Sequence, residues 1–212
     1  MTEPQAQSFF PISLDVSGRP CLVVGGGPVA ARKARGLAAC GALVTVIAPE
    51  LAPEMDELVP RLYAVERRPY VSGDADRFRL VVTATGHADV DSRVYADADA
   101  AGVWVNSADD REHSSFILPA VYRDGAVTVA VSTGGLSPAL ASWLRDRLAA
   151  ACGNDLGTLA HLLGEARARL QAEHVAVNRV DWAALLDGPL PALVAAGDLD
   201  NAMAIVKAAT SA

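Results

Sequence analysis

VVGGGPVAARKARG, residues 23–36, sets a valine run directly before three glycines, a proline and a basic helical pattern. Gly25, Gly27 and Ala30 stand in G-x-G-x-x-A spacing, and each position has a physical use. Gly25 can make the tight turn at a strand end. Gly27 can let the backbone approach a pyrophosphate, and Ala30 can let the helix pack close to the strand. Pro28 and Val29 open that helix, whose first turn leaves N–H groups without intrahelical partners, pointed at an anion. The loop is therefore expected to hold a dinucleotide. A tight strand–helix turn without a ligand is the plain alternative.

Outward from this loop the chain alternates short β-branched runs with helical patterns. RPCLVV (19–24), ALVTVIA (42–48), LYAVER (62–67), RLVVTAT (79–85) and VWVNS (103–107) read as strands, the third more polar and nearer an edge. Helices are expected from Pro28 to Cys40, briefly at 53–59, and over 88–101. This order predicts an α/β fold, a doubly wound, Rossmann-like parallel sheet with crossover helices. After Asp109 the rhythm changes. SFILPAVYRDGAVTVAVST (115–133) reads as a hairpin around the turn RDG (123–125). A helix opens at Ser137-Pro138, and from about Ala151 everything reads as helical, broken at Gly153, at GPLP (188–191) and at Gly197.

The composition narrows the function classes. The chain has 212 residues, 51% of them hydrophobic, and a net charge of −7. An acidic chain argues against general nucleic-acid binding, and a polyanionic ligand would need a local positive site. No apolar run reaches the roughly 20 residues that span a bilayer, and the first residues carry no secretory pattern. A cytoplasmic protein without membrane partners is expected. Cys21, Cys40 and Cys152 are too widely spaced for a metal knuckle or a disulfide framework. His87, His113, His161 and His174 show no HxxxH or HExxH spacing, so no fixed metal site is expected and these histidines read as solvated or structural, with a transient metal contact at His113 or His161 as the alternative. Glu50, 25 residues after Gly25 and just beyond Pro49, is the candidate acid for the adenine ribose. No arginine stands beside it for a 2′-phosphate, which favours NAD over NADP.

The longer string GGGPVAARKARGLAACGALVTVIAPEL resembles the precorrin-2 dehydrogenase / sirohydrochlorin ferrochelatase family, the siroheme-synthase N-terminal module, whose typical form is GGGxVAxRKxxxLxxxGAxVTVxAP. VVTATGHADVDSRVY (81–95), VNSADDREHSSFILPA (105–120) and VAVSTGGLSPALASWLRDRL (129–148) resemble further segments of the same family, in the same order. The resemblance covers about residues 9–150. It implies an NAD-binding domain over 1–113, a dimerisation region over 114–152 and a helical C-terminal domain over 153–212. It implies NAD-dependent oxidation of precorrin-2 to sirohydrochlorin by a homodimer, and in some members insertion of Fe²⁺ to give siroheme. Many members carry a fused methyltransferase, for which this chain is too short.

The resemblance also assigns residues. Asp109, preferred over the adjacent Asp110 for its spacing from Asn106, matches the family's functional aspartate, a carboxylate that can accept a proton or steady a developing cation; a loop aspartate capping a backbone turn is the plain alternative. Asn106 orients that loop or touches the cofactor; a turn-forming asparagine is the equal alternative. Thr85, at the end of the fourth strand, falls where a cofactor ribose sits or where the next helix is capped. Ser115, Thr133, Gly134 and Ser137 are the candidate substrate residues, with Ser137 equally readable as a helix N-cap. The competing reading, from another class, is a non-catalytic NAD-sensing regulatory module. Such modules end the second strand directly in an acid, where this chain has VIAPE.

Overall fold

The computed structural model describes residues 9–108, 110–153 and 155–211. Five strands, β1 (Pro20–Val24), β2 (Leu43–Ile47), β3 (Ala64–Glu66), β4 (Leu80–Thr83) and β5 (Trp104–Ser107), form one parallel sheet in the order β3-β2-β1-β4-β5. The order reverses between β1 and β4, so a crevice opens beyond the carboxyl end of β1, where open α/β sheets bind ligands. β3 is the edge strand its polarity predicts.

Side chains along a strand alternate between faces, and here both faces are covered. Cys21, Val23, Val44, Val46 and Val82 pack with Ala30, Ala31 and Ala34 of α1 (Pro28–Ala39). Leu22, Val24, Ile47, Val81 and Val105 pack on the other face with Val94 and Ala98 of α3 (Ala88–Ala100). Burial on both faces is why these strands read as continuous apolar runs rather than alternating ones. A short α2 (Pro53–Asp56) follows β2.

The chain divides into two compact units, one ending at Leu118 and one beginning at Pro119. The first runs past residue 113 because Ser114 bridges back to Asn106 and Phe116 packs on the sheet's core. In the second unit β6 (Ala120–Asp124) and β7 (Val127–Val131) pair antiparallel, the hairpin expected around RDG. Its turn interlocks with a helix. A Cβ on Gly125 would lie 2.9 Å from Cα of Gly157, and Asp124 Oδ2 accepts the Gly157 N–H at 3.0 Å. α4 (Pro138–Cys152) is followed by α5 (Leu156–Ala172), α6 (Trp182–Asp187), α7 (Leu190–Ala195) and α8 (Leu199–Ser211), packed around Leu170, Leu190 and Val206.

One helix break was not expected. α5 stops at Ala172, with His174 at φ 57° and the N–H groups of His174 and Val175 donating to Gln171 and Leu170. This is a Schellman end made without glycine, so the glycine punctuation that betrays the other breaks is missing.

Candidate functional site

The loops beyond β1, β2 and β4 enclose a cavity of about 380 Å³. The glycine loop Gly25–Gly27, Pro49 and Glu50 beyond β2, and Thr85 and His87 beyond β4 line it. Pro69, Tyr70 and Arg93 line it as well, over an apolar floor of Val24, Ile47, Ala48 and Val90. A larger hollow of about 660 Å³ lies at the amino ends of β1, β4 and β5, around Arg19 and Trp104. Parallel sheets bind their ligands at the carboxyl ends, so the smaller cavity is the candidate site.

The three glycines differ in their reasons. Gly25 has φ 122°, and a Cβ there would meet the Ala84 carbonyl oxygen at 2.4 Å. On Gly26 a Cβ would meet the Glu50 carbonyl oxygen at 1.9 Å. Gly25 N–H donates to Ile47 and the Gly26 carbonyl accepts from Ala52, both at 2.9 Å, which locks the loop onto the β2 end. On Gly27, by contrast, a Cβ would meet nothing within 4 Å. Gly27 is the N-cap of α1 in extended backbone, with Pro28 next and no side chain capping the helix. Bare backbone therefore borders the cavity beside uncapped helix N–H groups, the arrangement a pyrophosphate needs. NAD fits this cradle.

Thr85 is held by its neighbours. Its hydroxyl donates to Asp91 Oδ1 at 2.8 Å and accepts the His87 N–H at 3.0 Å. The buried Thr83 hydroxyl also donates to Asp91, so one carboxylate in the first turn of α3 ties the β4 end to the helix. Tyr70 is pinned too. Its hydroxyl donates to Asp97 at 2.9 Å, and burial together with that carboxylate pushes the phenol above its ordinary range.

Of the expected site residues, Gly25, Gly27, Pro49, Glu50 and Thr85 meet at this cavity. Pro28 and Val29 begin α1 at its edge. Asn106 is buried at the end of β5 and is not part of the lining. Its Nδ2 donates to the Phe116 carbonyl at 3.0 Å, while its Oδ1 has no partner among the described residues. The Ser115 hydroxyl accepts from Val105 N–H at 2.8 Å and returns a bond to the Val105 carbonyl at 3.2 Å, extending the β5 edge. Thr133, Gly134 and Ser137 lie in the second unit. The Thr133 hydroxyl is bonded to both N–H and C=O of Ser137, and Ser137 caps α4 by accepting from Leu140 at 3.2 Å. Gly134 takes φ 62° in that turn. Asp109 lies outside the described residues.

Sequence reasoning passed over Gly26, Asp91, Tyr70 and Arg93. Gly26 occupies an unconstrained place in the motif, and the others reach the site from other segments of the chain. Among the described residues no group of three His, Cys, Asp or Glu side chains is placed to hold a metal ion, and no helix is long and apolar enough to cross a membrane.

Comparison with known proteins follows the same division. A family described as "Putative NAD(P)-binding" matches residues 12–120, "Sirohaem biosynthesis protein central" matches 124–151, and "Sirohaem synthase dimerisation region" matches 155–209. The siroheme synthase of Chromobacterium violaceum is 43% identical over 194 residues, 90% of this chain and 41% of that protein. That of Tolumonas auensis is 42% identical over 164 residues, 77% of this chain and 35% of that protein. The chain thus spans less than half the length of these relatives. Among solved structures, SirC, a precorrin-2 dehydrogenase, superposes with a TM-score of 0.70 at 29% identity over 81% of this chain and 85% of its own.

Proposed function

This chain belongs to the precorrin-2 dehydrogenase / sirohydrochlorin ferrochelatase family, and from that premise we propose that it oxidises precorrin-2 to sirohydrochlorin with NAD. The observation that carries the proposal is the reach of the likeness, which runs through both compact units. A generic dinucleotide fold would match the first alone. When bound, NAD supplies the acceptor for the two electrons of the oxidation. Gly25, Gly27, Pro28 and Val29 form the cradle for its pyrophosphate at the start of α1. Pro49 and Glu50 face the adenine ribose, Thr85 shapes the far end of the crevice, and Asn106 supports that end from behind by holding Phe116 against the end of β5.

Asp109 is the carboxylate we assign to the macrocycle, steadying the positive charge that develops as the ring is oxidised. The β7–α4 turn carrying Thr133, Gly134 and Ser137, with Ser115, is assigned to the tetrapyrrole. The hydroxyls of Thr133 and Ser137 hold that turn in shape, which suits a backbone site for the ring's carboxylates. Such a local site answers the problem an acidic chain poses for a polyanionic substrate. We extend the proposal to Fe²⁺ as a second substrate, inserted into sirohydrochlorin, and to a cytoplasmic homodimer. Within it a cofactor domain, a dimerisation region and a helical C-terminal domain divide the labour.

Anaerobic incubation with precorrin-2 and NAD tests this. Sirohydrochlorin absorbance and NADH should rise together, and adding Fe²⁺ should then metallate the product faster than the enzyme-free control. Cofactor binding without turnover would overturn the dehydrogenase reading. Metallation at the control rate would remove the chelatase alone.

A further inference from the structure

The loop beyond β5 holds two groups with no role in the account above. Asp110 Oδ2 lies 2.5 Å from Nδ1 of His113. The other carboxylate oxygen, Oδ1, accepts the N–H of Glu112 at 2.9 Å and of His113 at 3.3 Å. The Asp110 carbonyl accepts from the Ser114 hydroxyl at 2.8 Å, and that hydroxyl in turn accepts the Ser107 N–H at 2.9 Å. The backbone of Asp110 is thus anchored through Ser114 to the end of β5. Tyr95 of α3 meets the imidazole edge-on, with ring centroids 5.1 Å apart at 70°.

A carboxylate fixed against Nδ1 selects the tautomer with the proton on Nδ1 and leaves Nε2 as an acceptor. No described residue bonds Nε2, and the His113 side chain is 38% exposed. The groups facing the ring are Asp110 on its own loop and Tyr95 from α3. Of the loop's other charges, Arg111 lies over Phe9 and Glu112 is exposed. The His113 contact holds the Asp110 carboxyl below the usual range, so it stays charged beside the ring. The loop stands beyond the carboxyl end of β5, at the same edge of the parallel sheet as the cavity beyond β1, β2 and β4, and next in sequence to Asp109.

We propose that Asp110 and His113 form a proton-accepting dyad for the dehydrogenation, with Nε2 of His113 taking the proton that the substrate gives up. This rests on the precorrin-2 reading. The oxidation removes two hydrogens from the macrocycle. One leaves with its electron pair to NAD. The other leaves as a proton and forms the Nε2–H bond, while its bonding pair stays behind in the new double bond. The imidazolium then returns its proton to water. Asp110 acts through His113 as a positioning residue.

The test uses the full chain. His113→Gln should lower kcat by about 100-fold or more, remove the acid limb of the kcat/KM–pH profile, and leave the NAD Kd and Tm in place. Added imidazole should restore part of the rate to His113→Ala. A His113→Gln enzyme with wild-type kcat and pH profile overturns the dyad. So does a slow variant that keeps the acid limb and takes no rescue from imidazole, since that marks a structural role. Wild-type turnover separates the two levels. If the wild type does not oxidise precorrin-2, the underlying reading falls and the dyad with it. If it does and His113→Gln matches it, the dyad alone falls.

Discussion

At the scale of single residues, the glycine loop separates folding from binding. Gly27 sits in extended backbone with open space where a side chain would go, and aspartate is a favoured N-cap. Gly27→Asp should therefore leave Tm unchanged or slightly raised, while its charge faces the pyrophosphate position and NAD binding is lost in calorimetry. Gly25 is the reverse case. Its φ of 122° and the Ala84 carbonyl 2.4 Å from a Cβ make Gly25→Ala a backbone strain of about 1–3 kcal/mol, read as a lower urea midpoint without any ligand. Equal behaviour of the two variants would mean that the loop is only a turn. Asp109→Ala belongs with them. Turnover should disappear with NAD affinity intact, and a collapse of NAD binding instead would make that aspartate structural.

At the scale of elements, the β4–α3 connection depends on one carboxylate. Asp91 accepts from the hydroxyls of Thr83 and Thr85 and from the Thr85 N–H, and Thr83 is fully buried. Asp91→Ala leaves a buried hydroxyl unpaired, at a cost of about 1–3 kcal/mol. It also frees the loop that carries Thr85 and His87 into the cofactor cavity. Lower stability in denaturant melts and several-fold weaker NAD binding should appear together; lower stability with unchanged affinity would detach the loop from the cofactor site. The β3–β4 connection should make stability depend on pH. Arg68 binds both Asp74 and Glu66, and its hydrogen bond holds the Asp74 carboxyl below its ordinary 3.8. A depressed acid contributes stability above its unfolded pKa and loses it as pH falls through the folded value. Asp74→Asn should therefore flatten the fall in stability below about pH 4, as denaturant melts at several pH values would show.

These elements also mark how far the residues could be read unaided. The five strands and the crossover helices were legible because both sheet faces are buried and glycine or proline marks nearly every end. The meeting of Gly25, Gly27 and Glu50 at the cavity was legible from the spacing of the G-x-G-x-x-A loop, and that of Thr85 from its place at the end of the fourth strand. Asp91 was not, since an acid in a first helical turn has an ordinary explanation in the helix dipole. Tyr70 and Arg93 were not, because only the folded sheet brings them to the cavity. The helix end at His174 was hidden by a left-handed residue that is not glycine. The Asp110–His113 pair was hidden by its three-residue spacing, which has no motif attached to it.

At the scale of the whole molecule, the second unit leaves apolar side chains in water on α4 and just before it. Leu136, Leu140 and Trp143 are 58%, 46% and 54% exposed, and Leu140 and Trp143, three positions apart, share one face of the helix. Arg147 covers the Trp143 ring from one side, 5.1 Å from its centroid, and the hairpin β6–β7 packs on the same helix. Exposed apolar surface of this kind is a common mark of association, and on this ground the contact of the proposed homodimer is placed here, N-terminal to the 155–209 segment whose family is described as a dimerisation region. A double variant, Leu140→Asp with Trp143→Glu, should convert a dimer to a monomer in sedimentation. Its folded content should be unchanged, because neither side chain belongs to a buried core. The cofactor cavity is lined wholly by residues of the first unit, so NAD affinity should survive the change. The substrate turn with Thr133 and Ser137 leads directly into α4, so precorrin-2 turnover should fall. Turnover that survives in the monomer would separate catalysis from assembly, and a wild-type chain that sediments as a monomer would remove the homodimer from the proposal.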